Sequence, residues 1–135
     1  MEEHWQYRIL IVDSDERAAS VIKDFLVNDG FDVATVGGGE PALNALKSCQ
    51  YDLVLVDSRF ADLTSSYFLK HLLRIPGKAP VIVLESFLSR PCGLAPYNPV
   101  RAGRFVNKWR PCEILKAVHE ARSGPPVSEA GASGD

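Results

Sequence analysis

The chain lacks any apolar run approaching the roughly 20 residues that a membrane-spanning helix needs, so insertion into a bilayer is not expected. It also lacks an excess of charge of one sign. Fifteen Lys and Arg stand against 17 Asp and Glu, a net charge of −2. That balance gives no electrostatic basis for direct binding to nucleic acid or to an anionic membrane. Cysteine is scarce and odd in number. Cys49, Cys92 and Cys112 fit no metal-knuckle spacing and read as reduced thiols of a cytoplasmic protein. The opening "MEEHWQYR" is acidic and lacks the basic-then-apolar layout of a signal peptide. His4, His71 and His119 are scattered and read as surface residues rather than as ligands.

What remains is an ordinary globular composition, 46% hydrophobic and 24% charged over 135 residues. A chain of this size forms one domain that buries about two-thirds of its unfolded surface. "RILIVD" (8–13), "FDVATV" (31–36), "YDLVLVD" (51–57), "APVIVLES" (79–86) and "GRFVNK" (103–108) read as strands. Continuous apolar runs of this kind suit strands covered on both faces. Between the first two, Ala18, Val21, Ile22, Phe25 and Leu26 form a helical stripe stopped by Gly30. "GGGEPALNALKSC" supplies a turn and a helix with Pro41 in its first turn. Further helices are expected in "SSYFLKHLLRI" (65–75) and in "PCEILKAVHEAR" (111–122), the latter with Ile114, Leu115 and Val118 on one face.

Alternating strands and helices imply a doubly wound α/β fold with a five-stranded parallel sheet. Such sheets bind ligands beyond the carboxyl ends of their strands, where Asp13, Asp57, Glu85 and Lys108 fall. Residues 87–103 carry Pro91, Pro96 and Pro99, so a fourth helix there is short or broken. The domain is expected to span 1–122. The stretch 123–135, "SGPPVSEAGASGD", reads as a disordered tail or linker.

"ILIVDSDE", "YDLVLVD", "PVIVLES" and "RFVNK", in this order and spacing, resemble the receiver domain of bacterial response regulators, a flavodoxin-like fold. The resemblance covers about residues 7–122. It implies a signalling module rather than an enzyme, in a two-component phosphorelay. Asp57 stands where the family's aspartate accepts a phosphoryl group from a histidine kinase or phosphotransfer protein. Lys108 stands at the lysine that contacts that group. The resemblance places Mg²⁺ on Asp13, Asp57 and the backbone carbonyl of Arg59, with Asp15 as a further candidate. Glu85 and Phe105 occupy the switch positions. The implied partners are a kinase and an output domain or downstream protein.

The chemistry explains this grouping. A carboxylate attacks a phosphoryl group only when a cation offsets repulsion and the approach is in line. Mg²⁺ suits clustered carboxylates with water, and lysine supplies a mobile point charge.

Five positions depart from the family pattern. Ser14 replaces the second acid, so weak Mg²⁺ binding is expected. Glu85 replaces the switch hydroxyl; it is expected to repel the phosphoryl group and to pair with Lys108. Ala61 and Ser65 replace a Pro and a Gly, and Trp109 replaces a proline. An atypical receiver, slow to phosphorylate, is the expectation. One alternative is a pseudo-receiver that binds proteins without phosphorylation. A remote one is a small phosphatase, because "DSD" (13–15) also fits a DxD nucleophile motif.

Overall fold

A computed structural model of the chain describes residues 6–58, 79–85 and 104–123, with the side chains of residues 104 and 105 outside the description. Five strands appear: β1 (Arg8–Val12), β2 (Asp32–Val36), β3 (Leu53–Asp57), β4 (Val81–Glu85) and β5 (Arg104–Asn107). Three helices are described: α1 (Glu16–Asn28), α2 (Gly39–Ser48) and α3 (Pro111–Ser123). The expected helix over 65–75, the segment 87–103 and the tail beyond Ser123 lie outside the described residues. None of the described helices is long and apolar enough to cross a membrane.

All strands pair in parallel in the order β2-β1-β3-β4-β5. The chain winds outward in one direction from β1 and in the other from β3. The crevice between their carboxyl ends is therefore the switch point where such sheets place ligands.

Alternation along each strand builds two cores. Ile9, Ile11, Leu53, Leu55, Ile82, Leu84 and Val106 face α1 and α3. Leu10, Val12, Val54, Val56, Val81 and Val83 face α2. A period of two thus assigns each strand residue to a side before any packing detail is considered.

Local signals start and stop the helices. Asp15 caps α1, its Oδ1 accepting from the N–H groups of Arg17 and Ala18 at 3.1 and 3.2 Å. At the other end Gly30 has φ +96°, a conformation that side chains resist. Its N–H donates to Val27 O, and Phe31 N–H donates to Leu26 O, closing the orphan carbonyls. Pro111 opens α3, where a missing N–H costs nothing.

The apolar stripe of α1 differs from the expected one. Ala18, Ala19, Ile22 and Leu26 are buried, whereas Val21 and Phe25 are 50% and 39% exposed. Two small alanines let the helix backbone approach the sheet closely, which turns the larger pair outward. In α3 the buried positions are Ile114, Ala117 and Val118, and Leu115 is only partly covered.

Candidate functional site

Asp13, Asp57 and Lys108 are the buried charged residues of the described chain, at 2%, 0% and 2% exposure. Strand alternation brings them together. Asp13 follows Ile9 and Ile11, Asp57 follows Leu53 and Leu55, and Lys108 follows Val106, all on the α1/α3 side. Parallel register then sets the strand ends side by side, with Val12 opposite both Val36 and Val56.

Lys108 Nζ lies 2.8 Å from Asp13 Oδ2 and 3.1 Å from Asp57 Oδ1. It donates a hydrogen bond to Asp57. One ammonium thus joins two carboxylates inside the protein, where desolvation makes unpaired charge expensive. Asp13 is held from the backbone side as well. Its N–H donates to Val36 O at 3.0 Å, and its Oδ1 accepts from the N–H of Asp15 at 2.9 Å. An open cleft of about 380 Å³ adjoins Asp13 between α1 and β2, lined in part by Glu16, Ser20, Lys23, Thr35 and Gly37.

The expected pair between Glu85 and Lys108 is replaced by another arrangement. Glu85 continues the Val81–Val83 alternation, which faces α2, while Lys108 belongs to the opposite side. The two meet through the backbone: Lys108 N–H donates to Glu85 O at 2.9 Å. The charge of Lys108 goes to the aspartates instead.

Ser14 is exposed, and the Asp15 carboxylate is engaged in capping α1. Phe105 sits in β5 opposite Val83, and Arg59 lies outside the described residues. Among the described residues no three His, Cys, Asp or Glu side chains converge as a metal-binding group. Two buried carboxylates do converge, and Mg²⁺ is commonly held by one or two carboxylates with water completing its shell. The donor set fits a Mg²⁺ ion held by Asp13 and Asp57 in competition with Lys108.

One neighbour of the site escaped the sequence reading. The Trp109 ring centroid is 5.7 Å from Lys108 Nζ. An aromatic directly after a strand-end lysine was the available signal.

A buried carboxylate thus stands at the sheet's switch point beside a second acid and a lysine. The family model for the response regulator receiver domain matches residues 9–118, and the chain belongs to that family. It is a receiver domain of the two-component type. The DNA-binding response regulator MtrA of Mycolicibacterium smegmatis is 34% identical over 79 residues, covering 58% of this chain and 34% of that protein. The chain thus spans about a third of the length of such curated relatives. Two solved structures share the fold. The response regulator TrrA of Thermotoga maritima, crystallised with Mg²⁺ and beryllofluoride, has a TM-score of 0.67 at 24% identity, over 86% of this chain and 99% of that one. Another response regulator from Thermotoga maritima has a TM-score of 0.72 at 22% identity, over 89% of this chain and 100% of that one.

Proposed function

We propose that this receiver domain accepts a phosphoryl group on Asp57, slowly, from a histidine kinase or phosphotransfer protein, and passes the change to an output domain or downstream protein. It acts as a signalling module, not as an enzyme with a turnover substrate, and works in the cytoplasm. The observation that carries this reading is the buried Asp13–Lys108–Asp57 cluster at the switch point. Three buried charges are poor stabilisers compared with apolar packing, so their convergence points to function. A structure of TrrA with the histidine kinase ThkA supports the choice of partner.

In the transfer, an Asp57 carboxylate oxygen forms the new P–O bond as the P–N bond of a phosphohistidine breaks. The imidazole leaves and takes a proton from solvent. Lys108, already 3.1 Å from Asp57, turns its ammonium to the phosphoryl oxygens. Asp13 stays fixed by the Asp15 N–H and keeps its charge beside the acceptor. Asp13 and Asp57 are the residues that would hold Mg²⁺, which would offset repulsion between carboxylate and phosphoryl group.

The slowness follows from the residues present. Ser14 contributes no carboxylate, and Lys108 covers both of the acids that remain. Incubation with acetyl phosphate and Mg²⁺, followed by intact mass and peptide mapping, tests the proposal. A slow gain of one phosphoryl group mapped to Asp57, lost in Asp57→Asn, is expected. Complete absence of label in the presence of saturating Mg²⁺ would favour a phosphorylation-independent interaction module.

A further inference from the structure

We propose that Trp109 is a positioning residue that holds the Lys108 ammonium on Asp13 and Asp57, and so sets how readily Asp57 is released for phosphoryl transfer. The proposal rests on reading Asp57 as the phosphoacceptor.

Lysine is a poor fixed element: its charge sits on a flexible four-carbon stem with three rotatable donors. Two carboxylates draw the ammonium of Lys108 to one side, Asp13 as an ion pair at 2.8 Å and Asp57 as a hydrogen-bonded pair at 3.1 Å. The indole of Trp109 adds a ring face with its centroid 5.7 Å from the same nitrogen, within the reach of a cation–π interaction. The backbone that carries the ring is fixed by a turn. Trp109 N–H donates to Asn107 Oδ1 at 2.8 Å, and Arg110 N–H donates to Asn107 O at 3.1 Å.

Burial argues against a plain packing role. Trp109 is 54% exposed, while the lysine beside it is 2% exposed. A tryptophan placed for core packing would be covered; this one sits at the boundary between solvent and a buried cation. There its face attracts the charge and keeps water from it, which strengthens the ion pairs behind it. Releasing Asp57 then means moving Lys108 against both the carboxylates and the ring.

Cation–π attraction needs an aromatic face, so Phe retains it and Leu removes it. Trp109→Phe and Trp109→Leu in the full chain separate the two. Acetylation of Lys108 by an amine-reactive ester is followed by peptide mass spectrometry, with Lys23, Lys47 and Lys116 as internal standards. Trp109→Leu is expected to raise the relative rate at Lys108 by about two- to fivefold, the range for a partly exposed contact. Trp109→Phe is expected to stay near the unmodified protein. An unchanged rate in Trp109→Leu, or an equal rise in both variants, overturns the proposal. The acetylation readout does not depend on phosphorylation. If acetylation responds while acetyl phosphate leaves Asp57 unlabelled, the ring's role stands and the phosphoacceptor reading fails.

Discussion

The two ends of the sheet use the same kinds of charged residue in opposite ways. At the amino ends of the strands, Arg8 Nε meets Asp32 Oδ2 at 3.1 Å and His119 Nε2 meets Asp29 Oδ2 at 2.6 Å. The side chains in both pairs are close to half exposed. Arg122 lies 5.7 Å from the rings of both Tyr7 and Phe31, which themselves meet edge to face. At the carboxyl ends, the side chains of Asp13, Asp57 and Lys108 are almost wholly enclosed. Exposed pairs of the first kind contribute about 0.2–1 kcal/mol and weaken with salt. The enclosed cluster has a large desolvation penalty and depends on every member. One end fastens the fold, and the other encloses, among the described residues, two acids with one base.

Removing the base should therefore produce the largest effect. Lys108→Met leaves two like charges enclosed and is expected to destabilise the domain by about 3–5 kcal/mol in urea unfolding. Asp57→Asn leaves a one-to-one pair between Asp13 and Lys108, so its stability should lie well above that of Lys108→Met. Equal losses in the two variants would mean that the cluster behaves like the exposed pairs.

Gly30→Ala comes next, at the opposite end of the molecule. Its positive φ should make the methyl group cost about 1–2 kcal/mol, although open space surrounds the site. Asp15→Ala follows with a loss of about 1 kcal/mol from uncapping α1. That variant also sharpens the division of labour between Asp13 and Asp15. If Asp15 serves the helix, Mg²⁺ titration should change little; a large loss of Mg²⁺ affinity would assign it to the metal.

The smallest effects belong to the amino end. A double-mutant cycle on Arg8 and Asp32 should give a coupling of about 0.2–1 kcal/mol that shrinks at 1 M salt. Burial pushes the Tyr7 hydroxyl above its ordinary value of 10.0, with the Asp52 charge adding to it and Arg122 opposing it. Burial raises Tyr51 in the same way. An unfolded chain ionises these phenols first, so their contribution is complete below about pH 10 and is lost as pH rises beyond it. Tyr7→Phe should flatten the alkaline decline in melting temperature.

Most of the site was legible because one rule, alternation along a strand, acts on all three of its members. Positions 9-11-13, 53-55-57 and 106-108 each run from core to strand end on the same face. The same rule contradicts the Glu85–Lys108 pair, since Glu85 continues the 81-83 series on the other face. Adjacency at strand ends does not bring side chains together when they lie on opposite faces. The capping role of Asp15 was available from its place one residue before α1, yet its nearness to Asp13 drew attention to metal instead. The helix stripe was misplaced because periodicity gives an apolar arc but not how closely small residues let the helix approach. Trp109 was hidden for another reason: its ring position depends on the turn at 107–110, which no periodic pattern specifies.

The most direct test of the central claim is the rate at which Asp57 is labelled by acetyl phosphate at a fixed, subsaturating Mg²⁺ concentration, compared between the unmodified protein and Ser14→Asp. A third acid beside Asp13 and Asp57 should draw Mg²⁺ in against Lys108 and raise the rate about tenfold or more, the scale on which groups around a metal alter its affinity. Fast, Mg²⁺-dependent labelling of the unmodified protein, with no gain in Ser14→Asp, would contradict a slow acceptor whose acids are held by their own lysine.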